Sequence, residues 1–315
     1  MLPRCGYCGK PLGVTSPGVT SPGVTSPGAT SPGVASRGVT SPGSSSLETE
    51  YVRFEGRSYH TSCYRNHVAV RCTLCGKIIQ GRFIKDYWGN IYHEGHKNRV
   101  SRCDYCGRFI SEKTTGGGAR YKDGRHICGL CRRTAVQDTK RGRELLGDAR
   151  KRLERYGIVI DRFDPGFHLI DRGKLKRVSR LSRPPDSEET GFTHFRSRSR
   201  GGRIVSFELD IYILLGLPQS HFIEAAAHEL MHVWQYLNAP PKNDRALCEG
   251  SCNYAAYLVL QELSGAESEY LVHNLFGSKD RFYGEGFRRV TRLVQKRGTK
   301  YWLSRLRANR RFPTG

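Results

Sequence analysis

The stretch HELMHVWQYLNAPPKNDRALCEG, residues 228 to 250, carries the residue types of a metal-dependent hydrolase. His228 and His232 stand four positions apart, so on a helix both imidazoles lie on one face and can grip a single ion. Glu229 projects beside them, where a carboxylate can take a proton from water activated by that ion. A catalytic zinc needs a third protein ligand and an open position. Glu249, seventeen positions after His232, fits that need, and the intervening PPKND turn would fold its helix back against the first. Asn253, one turn further along the Glu249 helix, is placed to orient a ligating histidine. Cys248 and Cys252 flank Glu249 and read as packing residues, as do Trp234 and Leu237. An oxyanion stabiliser would come from a later segment, with Tyr254, Tyr257, His273 and Tyr283 as candidates.

Several elements must position these groups. TKRGRELLGDARKRLERYG reads as a charged helix, with Leu145, Leu146, Ala149, Leu153 and Tyr156 at helical spacing and Gly157 ending it. Short β-rich pieces follow at 158–160, 168–170, 191–195 and 203–218, and RSRSRGG (196–202) reads as a basic hairpin loop. The site helix comes next, with Ser220 as its expected N-cap and Pro240-Pro241 enforcing its end. A helix, a small sheet and then H-E-x-x-H is the order of a zincin-type peptidase. RIVSFELDIYIL is the expected edge strand that would pair with an extended substrate.

Ahead of residue 135 the cysteines repeat. Cys5 and Cys8, Cys72 and Cys75, and Cys103 and Cys106 form C-x2-C pairs, each followed by Gly and a basic residue. Each has a downstream partner pair: His60 and Cys63, His93 and His96, and Cys128 and Cys131. These residues sort into three four-ligand sites of the structural zinc type. Seventeen residues separate Cys75 from His93 and twenty-one separate Cys106 from Cys128, whereas fifty-one separate Cys8 from His60. The excess is a degenerate pentapeptide repeat, GVTSP, over residues 13–43, which reads as a disordered insertion in a finger loop.

Composition sets the remaining bounds. The 315 residues suffice for two or three domains, and a hydrophobic content of 37% leaves room for metal-held modules and loops. Eleven cysteines without an export signal argue for metal rather than disulfides. No apolar run is long enough to span a membrane, and MLPRCGYCGK lacks the apolar core of a secretory signal, so a cytoplasmic location is expected. The net charge of +23 would attract nucleic acid, anionic surfaces or acidic proteins. Residues 286–315 carry ten Lys or Arg and no acid, with Val290, Leu293, Val294, Trp302, Leu303 and Leu306 forming the apolar side of a helical segment expected to pack on the peptidase domain.

The segment GLPQSHFIEAAAHELMHVWQYLNAPPKNDRALCEGSCNYAA resembles the active-site region of the DA-one family, plant organ-size regulators that are LIM-domain, ubiquitin-activated zinc peptidases. The likeness returns in YGEGFR, residues 283–288, and covers roughly residues 137–306. It implies an endopeptidase acting on proteins, with His228, His232 and Glu249 on zinc and Glu229 as base, and it favours Tyr283 as transition-state stabiliser. Cys63 and Cys72 are separated by eight residues where LIM fuses its fingers with two, and no acidic ubiquitin-binding helix precedes the fingers. These departures point to a microbial relative whose fingers select a different partner.

The resulting expectation is an α+β chain. A zincin-like, gluzincin-type metallopeptidase domain over 136–315 would follow three LIM-like zinc-finger modules over 1–135. It would hold one catalytic and three structural Zn2+, act on a protein substrate and engage a protein partner through its fingers, with nucleic acid not favoured. The alternative is a nucleic-acid- or protein-binding zinc-finger protein whose zincin-like part is an inactive scaffold.

Overall fold

Three knuckles built alike account for the N-terminal cysteine pairs. A glycine with positive φ follows the second cysteine of each (Gly9 +72°, Gly76 +71°, Gly107 +70°), a backbone conformation that side chains other than glycine resist. The turn closes with an antiparallel bridge from Arg4 to Pro11, Arg71 to Ile78 and Arg102 to Phe109. The computed structural model describes residues 3–12, 36–37, 51–161, 163–179, 189–200, 203–240 and 243–308. Apart from Ser36–Arg37, the pentapeptide repeat over 13–43 lies outside the described residues.

The chain is mixed α+β and packs as two compact units, Met1–Arg102 with Gly107–Gly117, and Cys103–Cys106 with Gly118–Gly315. The four-cysteine cluster shares a unit with the H-E-x-x-H helix.

In the first unit, β1 (Tyr51–Phe54) and β2 (Arg57–His60) form a hairpin over a core of Leu12, Val52, Phe54, Tyr59 and Tyr64. A second hairpin joins β3 (Phe83–Lys85) to β4 (Ile91–His93). Its turn is organised by Asp86, whose carboxylate accepts from the Trp88 and Asn90 amides and the Tyr92 hydroxyl. Ile79, Tyr92 and Phe109 are buried beneath it.

The second unit opens with the hairpin β5 (Gly118–Arg120) and β6 (His126–Cys128). Helix α1 (Thr139–Glu154) follows, capped by Asp138 and burying Leu145, Ala149 and Leu153. Then come β7 (Gly166–Ile170), α2 (Arg172–Ser179), β8 (Gly191–Arg200) and β9 (Arg203–Leu214). The sheet order is β7–β9–β8, with β9 parallel to β7 and antiparallel to β8. Leu209, Ile211 and Ile213 alternate along β9 and are all buried, the period-2 signature of a half-covered sheet.

Three expectations differ here. RIVSFELDIYIL is the central strand, and β7 and β8 are the edges. RSRSR is not a hairpin loop but the outer half of β8, paired with β9 as far as Arg200 opposite Arg203; Gly201 and Gly202 lie outside the described residues. An exposed edge strand needs no apolar residues, because backbone pairing alone holds it, so its sequence looks like a loop. The IVI segment at 158–160 is irregular, although Ile158 and Ile160 are buried.

Helix α3 (Gln219–Asn238) carries the two histidines and starts after Pro218, two residues before the expected Ser220 cap. Helix α4 (Arg245–Gln261) carries Glu249, and the Asp244 carboxylate caps it by accepting from the Leu247 amide at 3.0 Å. α5 (Ala266–Gly277), α6 (Gly286–Arg297) and α7 (Thr299–Ala308) complete the unit. α4 and α6 cross at Gly250 and Gly286, so closely that a Cβ on either would overlap the other helix's backbone. The Trp302 indole on α7 is buried and donates to Ser251 Oγ at 3.0 Å. The basic tail thus packs on the site helices, as its apolar side predicts.

Candidate metal centre and cleft

Antiparallel packing of α3 and α4 brings His228, His232 and Glu249 to one point. Glu249 Oε2 lies 3.4 Å from His228 Nε2 and 3.3 Å from His232 Nε2. Nitrogen and oxygen ligands about 2.0–2.2 Å from a tetrahedral zinc stand about 3.3–3.5 Å apart, so the spacing fits that ion. The carboxylate is 5% exposed. Burial alone would raise its pKa, but His232 and His228 opposite it hold it well below the usual carboxylate range. The group is therefore in its ligating form.

Each imidazole has a partner on its far nitrogen. His228 Nδ1 is 2.9 Å from Asn253 Oδ1, and the Asn253 amide donates to the Tyr283 carbonyl at 3.0 Å. His232 Nδ1 is 3.4 Å from Cys252 Sγ. With Nε2 of each ring turned to the metal position, Nδ1 carries the proton and donates, which fixes tautomer and ring plane. Cys252 therefore does more than pack, in contrast to its reading from sequence. Its thiol is buried, which together with the nearby Glu249 charge pushes its pKa well above the ordinary range, so it stays a neutral thiol.

Glu229 is 4% exposed and held from β8. Thr193 Oγ1 lies 2.8 Å from Glu229 Oε2 and 3.1 Å from the Glu229 carbonyl. Gly191 leaves room for the other carboxylate oxygen; a Cβ there would come within 2.7 Å of Oε1. Thr193 and Gly191 were not picked out by sequence reasoning, since nothing in GFTHF marks two residues that touch a helix 36 positions away. Of the four candidate oxyanion groups, Tyr283 alone lines the cleft, its ring stacked on His228 at 6.0 Å and 24°. Tyr254 is buried among Tyr257, Phe287 and Trp302, and Tyr257 packs on Phe276 and Phe287. The cleft itself has a volume of about 400 Å³ and includes Glu224, His228, Glu229 and Asn253 in its walls.

The other predicted ligands also converge. Cys5, Cys8, His60 and Cys63 form one cluster, Cys72, Cys75, His93 and His96 a second, and Cys103, Cys106, Cys128 and Cys131 a third. Their separations suit zinc, for which sulfur–nitrogen and sulfur–sulfur edges are about 3.6 and 3.8 Å. Cys8 Sγ is 3.4 Å from His60 Nδ1, Cys75 Sγ is 3.5 Å from His93 Nδ1, and Cys106 Sγ is 3.7 Å from Cys128 Sγ. Each of the four clusters could hold a metal ion.

The third cluster bears directly on α3. Its knuckle residue Tyr105 accepts through its carbonyl from His221 Nε2 at 3.1 Å, and the two rings meet edge to face. Burial holds the His221 pKa down at about 4, so the ring is neutral. Arg125 and Tyr121 donate to the Leu215 and Gly216 carbonyls at 3.0 and 3.1 Å. Val136 closes the other side, its amide donating to Leu217 O and its carbonyl accepting from Gly216 N. These bonds fix the turn from which α3 departs.

Compared over most of its length, the chain is similar to several plant proteins. Protein DA1-related 1 of Arabidopsis thaliana is 23% identical over 85% of this chain and 60% of its own length. The LIM domain-containing protein HDR3 of Oryza sativa subsp. japonica is 24% identical over 84% of this chain and 66% of its own. Protein DA1 of Arabidopsis thaliana is 24% identical, with shares of 84% and 61%. The chain's homologues are plant DA1-type proteins. It spans between three fifths and two thirds of the length of these DA1-type relatives. No family model matches the chain, and no solved structure is significantly similar to it. Among the described residues, no helix is long and apolar enough to cross a membrane.

Proposed function

We propose that the chain is a zinc-dependent endopeptidase of the zincin type that cleaves protein substrates. His228, His232 and Glu249 would hold the catalytic zinc, and the three cysteine-rich clusters would hold structural zinc. The observation that carries this reading is the convergence of the three ligand atoms at tetrahedral spacing, with Glu229 beside them in an open cleft. Zinc in this place supplies Lewis-acid polarisation of the scissile carbonyl and a water acidified toward neutrality.

The chain's own groups do the rest. Glu229 takes the proton of the attacking water and returns it to the departing amine. Thr193, donating to Oε2, holds the carboxylate against β8 and leaves Oε1 to the proton. Asn253 and Cys252 keep the two imidazoles aimed. Tyr283, stacked on His228 in the cleft wall, would hydrogen-bond the developing oxyanion. Among the described residues no strand pairs with the outer side of β8, and an extended substrate backbone could pair there. The first two fingers serve as a recognition module for protein.

The test is Glu229→Gln. Zinc content should stay at wild-type level while cleavage falls by about 10²–10⁴-fold. Comparing the proteome fragments released by wild type and by this variant would identify substrates; equal fragmentation by the two would refute the assignment.

A further inference from the structure

The cleft is acidic in a chain of net charge +23. Glu189, Glu224, Glu229 and Asp280 line it, and no lysine or arginine does so among the described residues. A divalent ion on the ligand set is matched in charge by Glu249 and Glu229. Glu189, Glu229 and Asp280 each already have an interaction partner. Asp280 caps the turn over Arg281–Glu285 by accepting from the Phe282 and Tyr283 amides, and Glu229 is held by Thr193.

Glu224 differs. It lies one helical turn before His228 on the same face of α3, in the cleft wall. No described residue offers it a hydrogen bond or a counter-charge, and with nothing opposite it burial pushes its pKa up to about 8. Glu224 is half-buried in the cleft wall, so a cation seated in the cleft would meet its carboxyl and offset the desolvation it does suffer.

We propose that Glu224 is the recognition group for a basic side chain, arginine or lysine, of a protein substrate bound next to the scissile bond. This rests on the cleft being the peptidase site, and it adds a substrate class to that reading. The long stem of such a side chain runs along the apolar Ala225 beside Glu224, and its charged end meets the carboxylate. The chain's surface repels basic polypeptides in general, so selection for one basic residue has to come from a local carboxylate of this kind.

The probes are fluorescein-labelled ten-residue peptides, uncharged except for one scanned position occupied by Arg, Lys, Gln or Glu. Binding is measured by fluorescence polarisation to the zinc-loaded full chain carrying Glu229→Gln, so that affinity is read without cleavage. At one or two positions Arg should bind about 10-fold or more tighter than Gln. Adding Glu224→Gln should reduce that preference to within about 2-fold, and adding Glu224→Lys should turn it toward the Glu peptide. No preference for Arg or Lys at any position overturns the proposal, as does a preference that survives both Glu224 substitutions. Cleavage of the same peptides by the wild-type chain is read separately. Cleavage without a Glu224-dependent preference sinks this proposal and leaves the peptidase reading standing. A Glu224-dependent preference without cleavage does the opposite.

Discussion

In the first finger the knuckle residue Tyr7 is 53% exposed and lies flat on His67, with ring centroids 4.1 Å apart, and its neighbour Cys8 is open to solvent. In the third finger the residue at the same place, Tyr105, is 6% exposed, and all four cysteine ligands around it are buried. Its carbonyl receives His221 and its hydroxyl meets Arg125. One local sequence pattern, C-x-Y-C-G, thus makes an open surface in one unit and an internal strut in the other. The knuckle supplies a rigid aromatic tip, and the chain that surrounds the tip decides its role. The third finger is accordingly part of the machinery that holds α3, whereas the first two have their own small cores.

The sharpest way to break this contrast is to remove one ligand from each finger. Cys128→Ser should abolish cooperative folding of the second unit, since structural zinc in a small module contributes on the order of 10 kcal/mol. Hydrogen exchange of α3 should then lose its protection, while Cys8→Ser should leave that protection as it was. Chelation gives the next largest effect. The chain should hold four zinc ions, and a competing chelator should take the one at His228, His232 and Glu249 first, because that site opens on the cleft. The first two fingers, with Cys8 and Cys75 exposed, should follow, and the buried four-cysteine site should release its ion last. Metal analysis at intervals after chelator addition would show the order, and release from the third finger ahead of the first would contradict it.

Smaller changes sharpen the picture. Asn253→Ala should weaken zinc at the cleft site by about 10–100-fold without altering the finger sites, read by competition with a zinc indicator. His221→Ala should lower the stability of the second unit by about 1–2 kcal/mol, visible as a lower denaturant midpoint, because the Tyr105 carbonyl loses its donor. The same substitution should leave melting of the first unit in place.

The sequence made the ligands legible and the supports opaque, for a physical reason. Ligand residues follow strict spacing imposed by one ion, so His228, His232, Glu249 and the three C-x2-C pairs could be grouped from their numbers alone, and the structure brings each group together. Supporting contacts obey no such spacing. Thr193 reaches Glu229 across 36 positions and Tyr105 reaches His221 across 116, and only the fold reveals them. Helices announced themselves through periodic apolar residues, as Leu145, Ala149 and Leu153 show on α1. The outer half of β8 did not, since Arg196, Ser197 and Arg198 are exposed and its strand character comes from pairing with β9. The edge and centre of the sheet were exchanged for the same reason.

The hydrogen bond between Tyr105 and His221 also orders events during synthesis. A chain made from its N-terminus completes Cys103 to Cys131 some ninety residues before His221 emerges, and domains form in that order. The four-cysteine knuckle can therefore take its ion and set its shape while α3 is still unmade. Helix α3 is then expected to dock on a finished surface, which spares it the search for its own starting angle. A chain short of zinc during translation would lose that template, so the supply of metal to the ribosome-bound chain, as well as to the finished protein, bears on whether a working cleft forms.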